Sequence, residues 1–146
     1  MVRTDVECSL FYVDDDRDDL QIFQEAAQAI NEDVCVFEFA ELMLYTLHNP
    51  PPSPSIVFVD LNMPTINGYE VIRQIKTSPV ISHLPVIAYS TSDNPADIER
   101  CRLCGAAMFV TKPSTIGAIQ KLLKYVIAKD WLGHEVTDSN FLYRAR

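Results

Sequence analysis

The chain alternates short apolar runs with segments whose apolar residues recur at helical spacing. Ile56-Val57-Phe58-Val59 is the clearest run: four consecutive apolar residues without polar alternation, as a strand buried on both faces requires. It stops at Asp60, because Pro64 cannot join a ladder and Thr65-Ile66-Asn67-Gly68 supplies turn chemistry. Residues 8–13, 34–39, 84–89 and 108–111 read as four further strands. Between them, Leu20, Phe23, Ala27 and Ile30 form one helical stripe, which Asn31 closes. Residues 41–48 make a short helix, and 49–54 a stiff Pro-rich connector too short to join domains. Residues 68–77 are helical with Val71, Ile72 and Ile75 inward. Asn94 as N-cap, Pro95 after it and Asp97 in the first turn start a helix that Gly105 ends. Ser114 then caps a long helix over 115–131.

Five strands alternating with five helices predict an α/β fold, a doubly wound five-stranded parallel sheet with helices on both faces and right-handed crossovers. Residues 1–131 form this one domain. Residues 132–146 have mixed polarity and no period, and read as a C-terminal tail without an output domain. On 115–132, Ile116, Ile119, Leu123, Val126 and Ile127 form the stripe that the sheet must bury. A second stripe, Ala118, Leu122, Tyr125, Lys129 and Leu132, points largely away from it. Either the tail covers this stripe, or it serves as a homodimer or kinase-docking face.

A length of 146 residues is enough for one core without staples. The net charge of -8 argues against sequence-independent binding to nucleic-acid phosphates or anionic lipid. No apolar run approaches a membrane span and no signal-like start occurs, so a cytoplasmic protein is expected. Cys8 and Cys35 lie in strand-like runs and read as small core residues. Cys101 and Cys104 have the spacing of a redox or zinc pair, but lie in a helix-like segment with no second pair.

In a parallel sheet of this kind, the ends of the strands at Asp14-Asp15, Asp60, Ser90 and Lys112 fall on one edge, where such sheets bind ligands. Three carboxylates in one crevice call for a cation. Oxygen-only ligands favour a hard metal, with Mg2+ the best match. Lys112 adds a point positive charge suited to a phosphate, and the Ser90 hydroxyl can donate to a further oxygen. An Asp carboxylate is itself a competent nucleophile toward phosphorus. Asp16, Asp18 and Asp19 read as a solvated acidic helix start rather than as part of the site.

Val13-Asp14-Asp15, Asp60-Leu61-Asn62-Met63-Pro64 with Asn67-Gly68, Ser90, Phe109 and Lys112-Pro113 stand in the order and at the strand ends of a known family. From Leu10 to about Ile127 the chain resembles the receiver domains of two-component response regulators. The resemblance implies a flavodoxin-like sheet of order 2-1-3-4-5. It implies that Asp60 takes a phosphoryl group from a phosphohistidine on a histidine kinase or histidine phosphotransfer protein. Asp15 and Asp60 would bind Mg2+ (or Mn2+) directly, Asp14 through water and Asn62 through its backbone carbonyl. Lys112 would pair with the phosphoryl oxygens, while Ser90 and Phe109 would act as the switch pair that changes a protein-binding surface. Such a protein is a phosphoacceptor rather than an enzyme acting on a separate substrate. Two positions depart from the family's habit: Thr91 follows Ser90 where a smaller residue is usual, and Phe109 replaces a more frequent Tyr.

Two other chemistries fit less well. A haloacid-dehalogenase-type phosphatase wants a second Asp two residues after the nucleophile, where this chain has Asn62. A flavodoxin-like nucleotide carrier wants Gly, Ser and Thr in its first loop, where Asp14-Asp15-Asp16 would repel a phosphate.

Overall fold

The computed structural model describes residues 10–48, 55–64 and 66–143. Its strands are β1 (Leu10–Val13), β2 (Val34–Phe37), β3 (Ile56–Asp60), β4 (Val86–Ser90), β5 (Met108–Thr111) and β6 (Leu142–Tyr143). The helices are α1 (Arg17–Ala29), α2 (Ala40–Leu47), α3 (Gly68–Thr77), α4 (Pro95–Cys104) and α5 (Ile116–Ala128). All strands are parallel, in the order β2-β1-β3-β4-β5-β6. The five expected strands thus form in the expected order. The sixth comes from the segment read as a tail.

Each strand divides its side chains between two cores, because successive residues point to opposite faces. Phe11, Val13, Val57, Val59, Val86, Ala88 and Phe109 meet α2, α3 and α4 on one face. Leu10, Tyr12, Ile56, Phe58, Ile87, Tyr89, Met108 and Val110 meet α1 and α5 on the other. β3 is buried along its whole length, as its unbroken apolar run requires.

Several boundaries move for identifiable reasons. Cys8 and Ser9, the connector 49–54 and the turn residue Thr65 lie outside the described residues. β2 ends at Phe37, since Phe39 is the N-cap of α2 and is 63% exposed. β4 begins after Pro85, which has no N–H to donate, although its carbonyl accepts from Val57 N–H at 3.0 Å. Thr115, not Ser114, caps α5, with its hydroxyl accepting from Ala118 N–H at 3.1 Å. Asn31 does follow the first helix, in a left-handed conformation at φ 60°. Cys35, expected as a plain core residue, is half-buried and disulfide-bonded. Cys101 and Cys104 are free thiols on α4, and burial pushes the Cys101 thiol up to about 12.

The two stripes of α5 need correction. Leu122 is fully buried and Ile116 is 40% exposed, the reverse of the expectation. α5 packs against α1 as well as the sheet, with Gln120 Nε2 donating to Ala26 O at 3.5 Å. Its buried arc is therefore wider than one stripe and takes in Leu122 beside Leu20, Phe23 and Ala27. Tyr125 remains 44% exposed and packs its ring at a tilt against Tyr143, centroids 5.3 Å apart, so the tail covers part of the second stripe.

Candidate functional site

Asp14 follows β1 and Asp60 ends β3, two adjacent parallel strands whose register aligns Val13 with Val59. Both carboxylates are consequently level, and both are buried, at 0% and 4% exposed. Asp15, one residue on, is exposed. Asp14, Asp15 and Asp60 each offer an oxygen within 4.8 Å of the others, the one metal-capable grouping found among the described residues.

Lys112 enters from the end of β5. Its Nζ lies 2.7 Å from Asp14 Oδ2, 2.8 Å from Asp19 Oδ2 and 3.2 Å from Asp60 Oδ1. Burial opposes the Lys112 charge. Hydrogen bonds to Asp14 and Asp19, with the charges of Asp14 and Asp60, outweigh it and raise its pKa. Asp60 moves the other way for an acid: burial and then the Asp14 charge push it up to about 7, against the pull of Lys112. A lone lysine thus leaves the carboxylates incompletely neutralised. An all-oxygen donor set with surplus negative charge fits a hard divalent cation.

Two residues of this site escaped the sequence reading. Asp19 was expected to be a solvated helix-start residue, yet it reaches Lys112 from the first turn of α1. Asp16, one turn earlier, is the N-cap, its carboxylate accepting from Asp18 and Asp19 N–H. Asp16 and Asp18 are exposed, as expected. Tyr12 is the second. It is fully buried on β1 and donates its hydroxyl to Asp14 Oδ2. The strand's two-residue period places Tyr12 and Asp14 on one face, so the signal was present in the alternation. Asp14 Oδ1 accepts in turn from Asp16 N–H at 2.9 Å, which fixes the carboxylate from both sides.

Ser90 ends β4, buried at 1% exposed, one residue beyond the Asp60–Tyr89 pair. Its hydroxyl oxygen accepts from Ser92 N–H at 3.1 Å, and its carbonyl from Lys112 N–H at 2.7 Å. Phe109 is fully buried on β5, whereas Asn62 and Thr91 are exposed in the loops after β3 and β4. The β3–α3 loop is closed by Gly68, whose N–H donates to Leu61 O at 3.1 Å. A Cβ at Gly68 would collide with the Asp60 carbonyl oxygen and come within 2.7 Å of Leu61 Cα. The turn read from Asn67-Gly68 is therefore also a close approach of α3 to the backbone of Asp60, and only glycine fits.

The chain is similar to known proteins over most of its length. The family model described as the response regulator receiver domain matches residues 10–124. The two-component response regulator ORR8 of Oryza sativa subsp. japonica is 31% identical over 114 residues, 78% of this chain and 93% of that protein. ORR13 of the same subspecies is 32% identical with the same coverage. The Mn(2+)-bound form of response regulator Rcp1 superposes with a TM-score of 0.72 at 20% identity, over 83% of this chain and 95% of that one. The phosphorylated cyanobacterial phytochrome response regulator RcpA gives 0.69 at 25% identity, over 83% and 91%.

Proposed function

This chain belongs to the response regulator receiver domain family, and from that premise we propose that Asp60 is its phosphoacceptor, charged from a phosphohistidine with the help of Mg2+. The observation that carries the proposal is the convergence of Asp14, Asp60 and Lys112, from the ends of three strands, within 3.2 Å of a single ammonium nitrogen. Asp60 is the member of this group whose backbone is locked by Gly68, and it lies between the acidic pair and Lys112.

In the transfer, a carboxylate oxygen of Asp60 bonds to phosphorus as the bond from phosphorus to the imidazole nitrogen breaks, leaving an acyl phosphate and a histidine that takes up a proton. Asp14, Asp15 and Asp60, with the Asn62 carbonyl, would hold the divalent cation, which supplies positive charge to the phosphoryl oxygens. Lys112 exchanges part of its contact with the carboxylates for a phosphoryl oxygen. The Ser90 hydroxyl turns from Ser92 N–H to donate to another. Phe109, two strand positions before Thr111 and buried beside β4, carries the resulting shift toward the surface of α4, β5 and α5. This is self-catalysed transfer to the protein, not turnover of a separate substrate.

The proposed partners are a histidine kinase or histidine phosphotransfer protein and a second copy of this chain, docking where Ile116 and Tyr125 of α5 remain exposed. A cytoplasmic location fits such partners, and no helix among the described residues is long and apolar enough to cross a membrane. The test is a phosphotransfer profile against the purified histidine kinases of the source organism. Rapid labelling by one of them, lost in Asp60→Asn, is expected. Transfer from none of them, or labelling retained in Asp60→Asn, overturns the reading.

A further inference from the structure

We propose that the segment after α5, residues 131–143, is a positioning element for Lys112, acting by closing the outer edge of β5. This rests on the phosphoacceptor reading and adds to it a part of the chain outside the acidic site.

Without β6, β5 would be a four-residue edge strand carrying the one lysine of the site. β6 pairs with it in parallel, Leu142 opposite Phe109 and Tyr143 opposite Val110. Phe109 N–H donates to Phe141 O at 2.8 Å. Phe141 itself is 3% exposed and joins the core that contains Phe109, Cys101 and Ala106. The segment is tied down at each side of β5. Trp131 Nε1 donates to Val126 O at 2.8 Å at the end of α5. Arg102 of α4 pairs with Asp138, and the ring of Tyr125 of α5 packs at a tilt against Tyr143. Its own turn is closed by Thr137 N–H on Asn140 Oδ1 and Asn140 Nδ2 on Glu135 O, both 2.8 Å.

β5 is thus gripped on two edges. On the inner edge, Lys112 N–H donates to Ser90 O; on the outer edge, β6 holds Phe109 and Val110, three and two positions earlier. A strand held on one edge only has more freedom at its end, where Lys112 must place Nζ among three carboxylates. Asp14 and Asp15 follow β1 and Asp60 ends β3, on the far side of β4 from this clamp. Loosening the clamp therefore separates two properties. Acceptance of a phosphoryl group, which uses Lys112, weakens. Cation binding by the carboxylates holds or tightens, because Lys112 competes for the same oxygens.

The experiment uses the full chain with Phe141→Ala and Phe141→Leu, measuring the rate of labelling by acetyl phosphate at saturating Mg2+ and the Mg2+ affinity by calorimetry. Phe141→Ala is expected to label about tenfold more slowly with Mg2+ affinity unchanged or higher, and Phe141→Leu to recover most of the rate. Labelling at the wild-type rate overturns the proposal. So does a parallel fall in labelling and Mg2+ affinity, which marks general loosening. Should Phe141→Ala fail to fold, hydrogen exchange of the wild type decides. A phosphoryl group that engages Lys112 fixes the end of β5, so phosphorylation should slow exchange at Phe109, Leu142 and Tyr143, and unchanged exchange there overturns the proposal. Failure of the phosphoacceptor reading shows separately, as a wild type that takes no label at Asp60, and this inference then falls with it.

Discussion

Lys112 Nζ and Asp14 Oδ2 meet at 2.7 Å, joining the end of β5 to the end of β1 across 98 residues of sequence. Both groups are largely withdrawn from water: the side chains are 11% and 1% exposed. The pair flanks Asp60, with Lys112 Nζ 3.2 Å from its Oδ1, and the two charges pull the Asp60 pKa in opposite directions.

Removing the lysine leaves two buried carboxylates facing each other. Lys112→Ala should destabilise the cation-free protein by about 3–5 kcal/mol, the cost of breaking a buried ion pair. Mg2+ should restore part of that loss by taking the place of the ammonium. Urea unfolding with and without Mg2+ measures both effects, and a change below about 1 kcal/mol would place the pair in the class of exposed ion pairs.

The raised pKa of Asp60 gives a pH dependence with a definite sign. Its carboxyl titrates at about 7 when folded, against an ordinary value of 3.8. Folding favours the protonated form, so this contribution is complete below 3.8 and is lost as the pH rises through about 7. Without divalent cations, the wild type should lose stability from about pH 4 to about pH 7 relative to Asp60→Asn. Thermal melts of both proteins across that range test it. A constant difference would show that Asp60 ionises as an ordinary surface carboxylate.

Gly68→Ala places a methyl group against the Asp60 carbonyl and Leu61 Cα, both backbone atoms that cannot rotate away. A loss of about 1–3 kcal/mol is expected from such overpacking. Acetyl phosphate labelling should drop as well, because the displaced backbone carries the acceptor. Wild-type stability and labelling together would show that α3 can back away from β3 freely.

The sites were legible where a polar residue interrupts an apolar run. Asp60 ends a buried strand, Asp14 and Lys112 each follow one, and the parallel sheet sets all three at one edge. Asp19 was not legible, because an acid in a helix's first turn is equally well explained by the helix dipole. Tyr12 lies within an apolar run, where an aromatic ring reads as core, and only the alternation that puts it on the face of Asp14 marks its hydroxyl. β6 is too short to show any period. Leu122 was assigned to the wrong side because one stripe was counted against the sheet, whereas α5 also packs on α1.

That packing narrows the surface left for self-association. Ile116 and Tyr125, 40% and 44% exposed, are the large apolar side chains that α5 still offers. If a second copy docks there after phosphorylation, light scattering should show a higher mass for phosphorylated wild type. Ile116→Asp combined with Tyr125→Asp should stay at the unphosphorylated mass. Equal masses in every sample would remove α5 as a dimer face.

The assignment of Asp60 as phosphoacceptor is tested most directly by intact-mass measurement of wild type and Asp60→Asn after incubation with acetyl phosphate and Mg2+. The wild type should gain a single acid-labile phosphoryl group and Asp60→Asn none. Labelling of Asp60→Asn to the wild-type extent would contradict the assignment and move the acceptor to another residue.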